Sequence, residues 1–293
     1  MKPASKNLHN KDMIKHAGSI RPNYQIKYNR MKHLKYINLA LIFLLISCGT
    51  VPLTGRKQFS VIPESQMISL ANDSYSQVLK ENELSDNRQY TDQVKRVGKR
   101  ISSAVEEYFR NEGMEERLKG YNWEFNVIKS DEMNAWCMPG GKIAFYEGIM
   151  PVCQDDNGVA VVMAHEIAHA VARHGNERMS QQLSVQLGGM VLSEALEKEE
   201  ETTQNLAMAA FGLGAQVGYL LPYSRTHESE ADELGLYFMA MAGYDPKGAP
   251  DFWERMNAEG GQRPPEFLST HPHPENRIKN MEKHMPKALE YYN

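Results

Sequence analysis

Cysteine is scarce. Three thiols in 293 residues cannot frame a disulfide-stapled miniprotein. Long apolar runs are missing as well. The most apolar stretch, residues 37–46, has ten residues and would rise about 15 Å as a helix, roughly half the hydrocarbon thickness of a bilayer. Basic charge is lacking in the body of the chain. Beyond residue 36, 24 Lys/Arg stand against 36 Asp/Glu, so there is no basic face for phosphates and no nucleic-acid partner is expected. No internal repeat is visible. The rest is ordinary globular composition, 41% hydrophobic, 24% charged and 9% aromatic, which excludes wholesale disorder, collagen and a polytopic membrane protein.

The front of the chain reads as an address. Residues 1–36 hold nine Lys/Arg and one acid, Asp12, immediately before the apolar run. That order fits a signal peptide, with Lys32 and Lys35 flanking the apolar core. Met31 makes a more natural start than Met1. Leu45-Ile46-Ser47-Cys48-Gly49 resembles the bacterial lipobox, which predicts acylation of Cys48 and a membrane lipid anchor. Residues 1–47 are thus expected to be extension and signal, and residues 48–60, with Pro52 and Gly55-Arg56-Lys57, a short tether. The compartment would be oxidising, and Cys137 and Cys153 either pair there or stay buried and free.

Apolar spacing predicts helices over residues 66–84, 90–109, 158–174, 179–196 and 226–242, the last stopping at Gly243-Tyr244-Asp245-Pro246. Residues 205–221, rich in Ala, Gly and Leu, predict a buried helix. Alternation over residues 121–128 predicts a strand. Pro139-Gly140-Gly141 predicts a turn or bulge within residues 134–146. Glu197, Glu199, Glu200 and Glu201 read as a solvated loop. The expected class is α+β, mainly helical, with a small antiparallel sheet near the middle.

The informative stretch is His165-Glu166-Ile-Ala-His169, an H-E-x-x-H pattern in an apolar, Ala-rich helix. Four residues is slightly more than one turn, so His165 and His169 share a face and can grip one Zn²⁺ at about 2.0–2.1 Å each. Glu166 beside them can take a proton from metal-activated water. Val161, Val162, Ile167, Ala168 and Val171 make this helix apolar nearly all round, and burying two imidazoles and a carboxylate without a metal is costly. The metzincin pattern is excluded, because Ala172 and Gly175 stand at its Gly and His positions and His174 is out of register. Downstream, Glu228 and Asp232 lie four apart on one helical face. If Glu228 binds the metal, Asp232 can reach the other N–H of a ligating histidine. Glu230 is about 200° round from Glu228 and cannot face the same ion, so Glu230 and Glu233 read as solvent-facing charge.

Together, His165-Glu166-x-x-His169 and Ser224-Arg225-x-x-Glu228-x-Glu-Ala-Asp232 resemble the membrane-associated zinc endopeptidases that include the CAAX prenyl proteases, HtpX, BepA and LoiP. Asn134-Ala-Trp-Cys-Met-Pro139-Gly140-Gly141-Lys142-Ile143 is similar to that family's strand ahead of the active-site helix, and Leu268-Ser-Thr-His271-Pro272 to its S-T-H-P segment. Pro52-Leu-Thr-Gly-Arg56 looks like that of lipoprotein members such as LoiP. The resemblance implies a zincin-like metallopeptidase domain over residues 61–293 and one Zn²⁺ per chain. It also implies His165, His169 and Glu228 as ligands, Glu166 as base and acid, and Asp232 behind a ligand. His271 and Arg225 are candidates for oxyanion stabilisation, and His271 for a resting fourth ligand that must leave before substrate enters.

Gly140 and Gly141, with Lys142 and Ile143 after them, are expected to let an extended polypeptide substrate add as a further strand. The implied activity is hydrolysis of unfolded or damaged cell-envelope proteins, at the bacterial outer membrane facing the periplasm. The alternative is a zinc-binding chaperone or scaffold lipoprotein that assists outer-membrane assembly without proteolysis.

Overall fold

The computed structural model describes residues 48–259, Phe267, His271 and residues 277–292. The signal segment expected over residues 1–47, and the S-T-H-P segment apart from His271, lie outside the described residues.

Strands β1 (Cys48–Thr50) and β2 (Lys57–Phe59) pair across a tight turn. Its ends are closed by Val51 N to Arg56 O at 2.9 Å and Gly55 N to Val51 O at 3.0 Å. Gly55 has φ +71°, which glycine adopts without steric cost. Val51 is fully buried and Gln58 nearly so. The segment expected to be a tether is therefore folded into the body, because its apolar and amide side chains find partners there.

Helices α1 (Glu64–Glu81) and α2 (Arg88–Asn111) follow as the apolar spacing predicts. The Asn87 side chain caps α2 by accepting from the amides of Gln89 and Tyr90. Val94, Val97, Ile101, Val105 and Phe109 make its buried stripe, each side chain contributing roughly 1.5–3 kcal/mol of burial.

Strands β3 (Glu124–Ile128), β4 (Ala135–Met138) and β5 (Lys142–Tyr146) form a sheet of order β3-β5-β4. β4 and β5 are an antiparallel hairpin, whereas β3 runs parallel to β5 with Phe125 opposite Ile143. The sheet is mixed rather than antiparallel throughout, because the hairpin returns its second strand beside β3. Gly140 and Gly141 turn that hairpin at φ +85° and +82°. A Cβ on Gly141 would lie 2.5 Å from the Trp123 side chain, and one on Gly140 3.0 Å from Ile68. Turn geometry and packing thus account for both glycines.

After α3 (Met150–Cys153) comes the central helix α4 (Asp156–Val171), started by the Asp155 carboxylate accepting from Gly158 N at 2.9 Å. Every residue from Gly158 to Val171 is buried. The helix expected to reach residue 174 stops short, because Arg173 takes a left-handed conformation at φ 59°. The Arg173 side chain donates to the Arg117 carbonyl at 3.2 Å and pairs with Glu64 at 3.3 Å.

A new helix, α5 (His174–Ala195), then begins, followed by α6 (Glu201–Ala215), a π-helical turn (Gln216–Leu220), α7 (Leu221–Met241), α8 (Gly248–Ala258) and α9 (Arg277–Tyr291). The expectation of a buried helix over residues 205–221 is not met: Leu206 is 74% exposed and Leu213 67%. Composition made that segment apolar, but its packing is one-sided: Phe211 meets α5 at Gly188 and Gly189, and the rest of its surface stays uncovered by the described residues. By length and composition the helical run Glu201–Met241 includes a stretch apolar enough to cross a membrane. Cys137 and Cys153 are both free.

α7 lies against α4 at Gly235, where a Cβ would come within 3.2 Å of the His165 backbone nitrogen. This close approach sets the acidic end of α7 beside the histidines of α4.

Candidate metal centre

Helix α4 presents His165 and His169 from successive turns, with Nε2 atoms 3.1 Å apart. Helix α7 brings Glu228, whose Oε2 lies 3.4 Å from His165 Nε2 and whose Oε1 lies 3.5 Å from His169 Nε2. His271 completes the group, with Nδ1 3.4 Å from His165 Nε2 and 3.2 Å from Glu228 Oε2. The donor atoms of these four residues all fall within 4.8 Å of one another. Two donors on one tetrahedral zinc at about 2.0–2.1 Å stand about 3.3 Å apart, which is the spacing seen here.

The electrostatics fit a cation as well. Burial opposes charging His165, yet hydrogen bonds with Asp232 and Glu228 raise its pKa to about 9, so the pocket draws positive charge. Burial would raise the Glu228 carboxyl, but His169 and His165 hold it well below the usual range. Burial pushes His169 down to about 3, toward a neutral ring with a free lone pair. Glu228 Oε1 is buried and makes no hydrogen bond among the described residues.

Glu166 is 2% exposed and sits beside this group, its Oε1 3.5 Å from His271 Nε2. Burial raises its pKa, opposed by the positive charge of His271 and His165. Asp232, one turn beyond Glu228, meets His165 Nδ1 at 3.0 Å. Arg277 of α9 ion-pairs with the same Asp232 oxygen and lies over Trp253, its Cζ 3.3 Å from the ring centroid. Phe267 stacks between Trp253 and His271, at 5.6 Å and 4.7 Å between centroids.

Sequence reasoning missed several residues of this surround. Arg225, a candidate for oxyanion stabilisation, is exposed, and the cation beside Asp232 is Arg277. Glu230, expected to face solvent, is 6% exposed, because the far side of α7 meets protein rather than water. Its Oε2 is 2.9 Å from His174 Nε2, and His174 Nδ1 is 2.9 Å from His169 Nδ1. The one available signal for His174 was its position five residues after His169, off the register of any ligand pattern. Glu233 is only partly exposed and accepts from the Tyr237 hydroxyl at 3.0 Å. β5 is the central strand, so Lys142 and Ile143 have both backbone edges paired and cannot receive a substrate strand. The outer edge next to α4 belongs to β4.

The model of peptidase family M48 matches residues 95–285. The mitochondrial metalloendopeptidase OMA1 of Schizosaccharomyces pombe is 35% identical over 243 residues, 81% of this chain and 66% of that protein. OMA1 of Saccharomyces cerevisiae is 31% identical over 86% of this chain and 73% of its own length. The beta-barrel assembly-enhancing protease of Escherichia coli is 32% identical over 53% of this chain and a third of its own, 33%. The chain therefore spans about two thirds of the first relative and far less of the third. The expected bacterial outer-membrane address is overturned, since the relatives matched over most of the chain are mitochondrial. A short lipobox-like pattern weighs less than likeness across the folded body.

Proposed function

The chain belongs to peptidase family M48, and from that premise we propose that it is a zinc metalloendopeptidase whose ion is held by His165, His169 and Glu228. The observation that carries the reading is the convergence of those three donors beside a buried Glu166. Bound zinc supplies Lewis acidity, which polarises a peptide carbonyl and lowers the pKa of water toward about 7. Glu166 takes a proton from the attacking water and passes it to the leaving amine. Its burial, which raises its pKa, suits both duties. Asp232 accepts from His165 Nδ1–H and leaves Nε2 bare for the metal. An extended polypeptide pairs along the outer edge of β4 (Ala135–Met138), next to Glu166, through main-chain hydrogen bonds that read little sequence. Such pairing suits unfolded or damaged protein as substrate.

Purified protein should contain one zinc per chain by elemental analysis, and should digest casein in a reaction abolished by a chelator and restored by zinc. Absence of a stoichiometric metal, or cleavage indifferent to chelation, removes the proposal.

His271 has a second reading, favoured by its place within the donor cluster rather than outside it. As a fourth ligand it would close the open position that catalysis needs. On that reading His271→Ala raises resting casein cleavage several-fold. Unchanged cleavage ends the latch idea, and a deep loss assigns His271 to the oxyanion instead.

A further inference from the structure

A buried polar chain runs from the metal centre to the N-terminal turn, and its donors and acceptors can be assigned one by one. The Glu230 carboxylate can only accept, so the 2.9 Å contact to His174 Nε2 puts a proton on that nitrogen. His174 is 1% exposed, and an imidazole with its proton on Nε2 carries a lone pair on Nδ1. The contact between His174 Nδ1 and His169 Nδ1 then requires His169 to donate. His169 is left with Nε2 bare, and Nε2 is the atom facing His165 and Glu228. His165 gets the same tautomer directly from Asp232. His169 gets it through one intervening imidazole.

Glu230 is in turn held from the other end of the sequence. Arg56 Nε donates to its Oε2 at 2.8 Å, and the Thr54 hydroxyl donates to its Oε1. The remaining Arg56 nitrogens donate to Glu177 at 3.1 Å and 2.7 Å, and Glu177 also accepts from His227 Nε2 at 2.9 Å. Burial alone would raise the Glu177 carboxyl, but His227 and Arg56 hold it at about 2. Arg56 therefore sits as one cation between two buried carboxylates. His227 stacks on His174 at 4.4 Å, fixing the plane of the relaying ring.

We propose that Glu230 and His174 are positioning residues that fix His169 as an Nε2 ligand, and that the Thr54-Gly55-Arg56 turn is a strap which holds this relay in place. The inference rests on the zinc reading above. It makes metal affinity depend on a segment more than a hundred residues away in sequence from each of the three ligands.

The test uses the full chain and zinc itself. Zinc affinity is measured by competition with a chromophoric chelator in wild type, Glu230→Gln, Arg56→Gln and Thr54→Val, with Glu233→Gln as control. Loss of a group behind a ligand costs about 10–100-fold in metal affinity. The strap predicts that range for Glu230→Gln and Arg56→Gln, a smaller loss for Thr54→Val, and none for Glu233→Gln. Nitrogen-15 NMR of histidine-labelled, zinc-loaded wild type should show His169 protonated at Nδ1. Thermal melts of the zinc-free variants separate misfolding from the effect sought, and Thr54→Val, the mildest change, decides if the others fail to fold. Affinities within twofold of wild type, or a His169 protonated at Nε2, overturn the strap. If wild type binds no zinc at all, the underlying reading falls instead.

Discussion

Glu166→Gln should lower casein cleavage by about two to four orders of magnitude while leaving zinc content unchanged. The substitution is nearly isosteric in a site that is 2% exposed, so packing is preserved. The amide retains an oxygen for the backbone hydrogen bond from Cys137. What disappears is the ability to take a proton. Glu166 Oε1 makes no hydrogen bond among the described residues, as expected of a group whose partner is water or substrate. None of the contacts that hold His165, His169 and Glu228 runs through Glu166, so the metal should remain. The loss corresponds to about 3–5 kcal/mol of transition-state stabilisation. The check pairs digestion rates with metal analysis on the same preparations. Equal cleavage by both proteins would leave the proteolytic mechanism without its base. A loss of zinc together with activity would show instead that Glu166 shapes the donor set.

The two histidines were legible because helical geometry alone puts residues four apart on one face. Their burial was legible too, from the apolar residues around them. Glu228 was not separable from its acidic neighbours by spacing, and family resemblance supplied it. Its place depends on α7 approaching α4 at Gly235, a tertiary fact that no periodicity encodes. The argument that Glu230 cannot face the same ion as Glu228 holds. The step from there to solvent fails, since both faces of α7 are buried here and its far side meets Arg56 and Thr54. His174 comes within reach of His169 only because Arg173 takes a left-handed turn, which its residue type rarely does. Alternation found β3 and the Pro139-Gly140-Gly141 turn marked the hairpin, but neither ranks strands across the sheet, so the central strand β5 was mistaken for an edge. Arg277 lies more than forty residues beyond Asp232, and nothing local marks it as that carboxylate's partner.

Arg277→Met should destabilise the fold by about 3–5 kcal/mol, the usual consequence of breaking a buried ion pair from one side. The guanidinium is 1% exposed at residue level and lies 3.3 Å above the Trp253 ring. Methionine replaces much of the volume and keeps contact with the indole, so lost packing is a minor part of the cost. The larger part is Asp232, left as a buried carboxylate with His165 as its remaining partner. For a domain of this size the change corresponds to a fall in Tm of about 10 °C. Because the penalty belongs to the orphaned charge rather than to the pair's own strength, removing that charge should relieve it. Arg277→Met combined with Asp232→Asn is therefore expected to melt above Arg277→Met alone, with a coupling of about 1–3 kcal/mol in the double-mutant cycle. Asparagine can still accept from His165 Nδ1, so zinc binding should weaken less than it would with alanine there. Calorimetry of the four zinc-free proteins gives the cycle. Strict additivity would mean that Arg277 acts by filling space beneath Trp253, and that Asp232 needs no cation to remain buried behind His165.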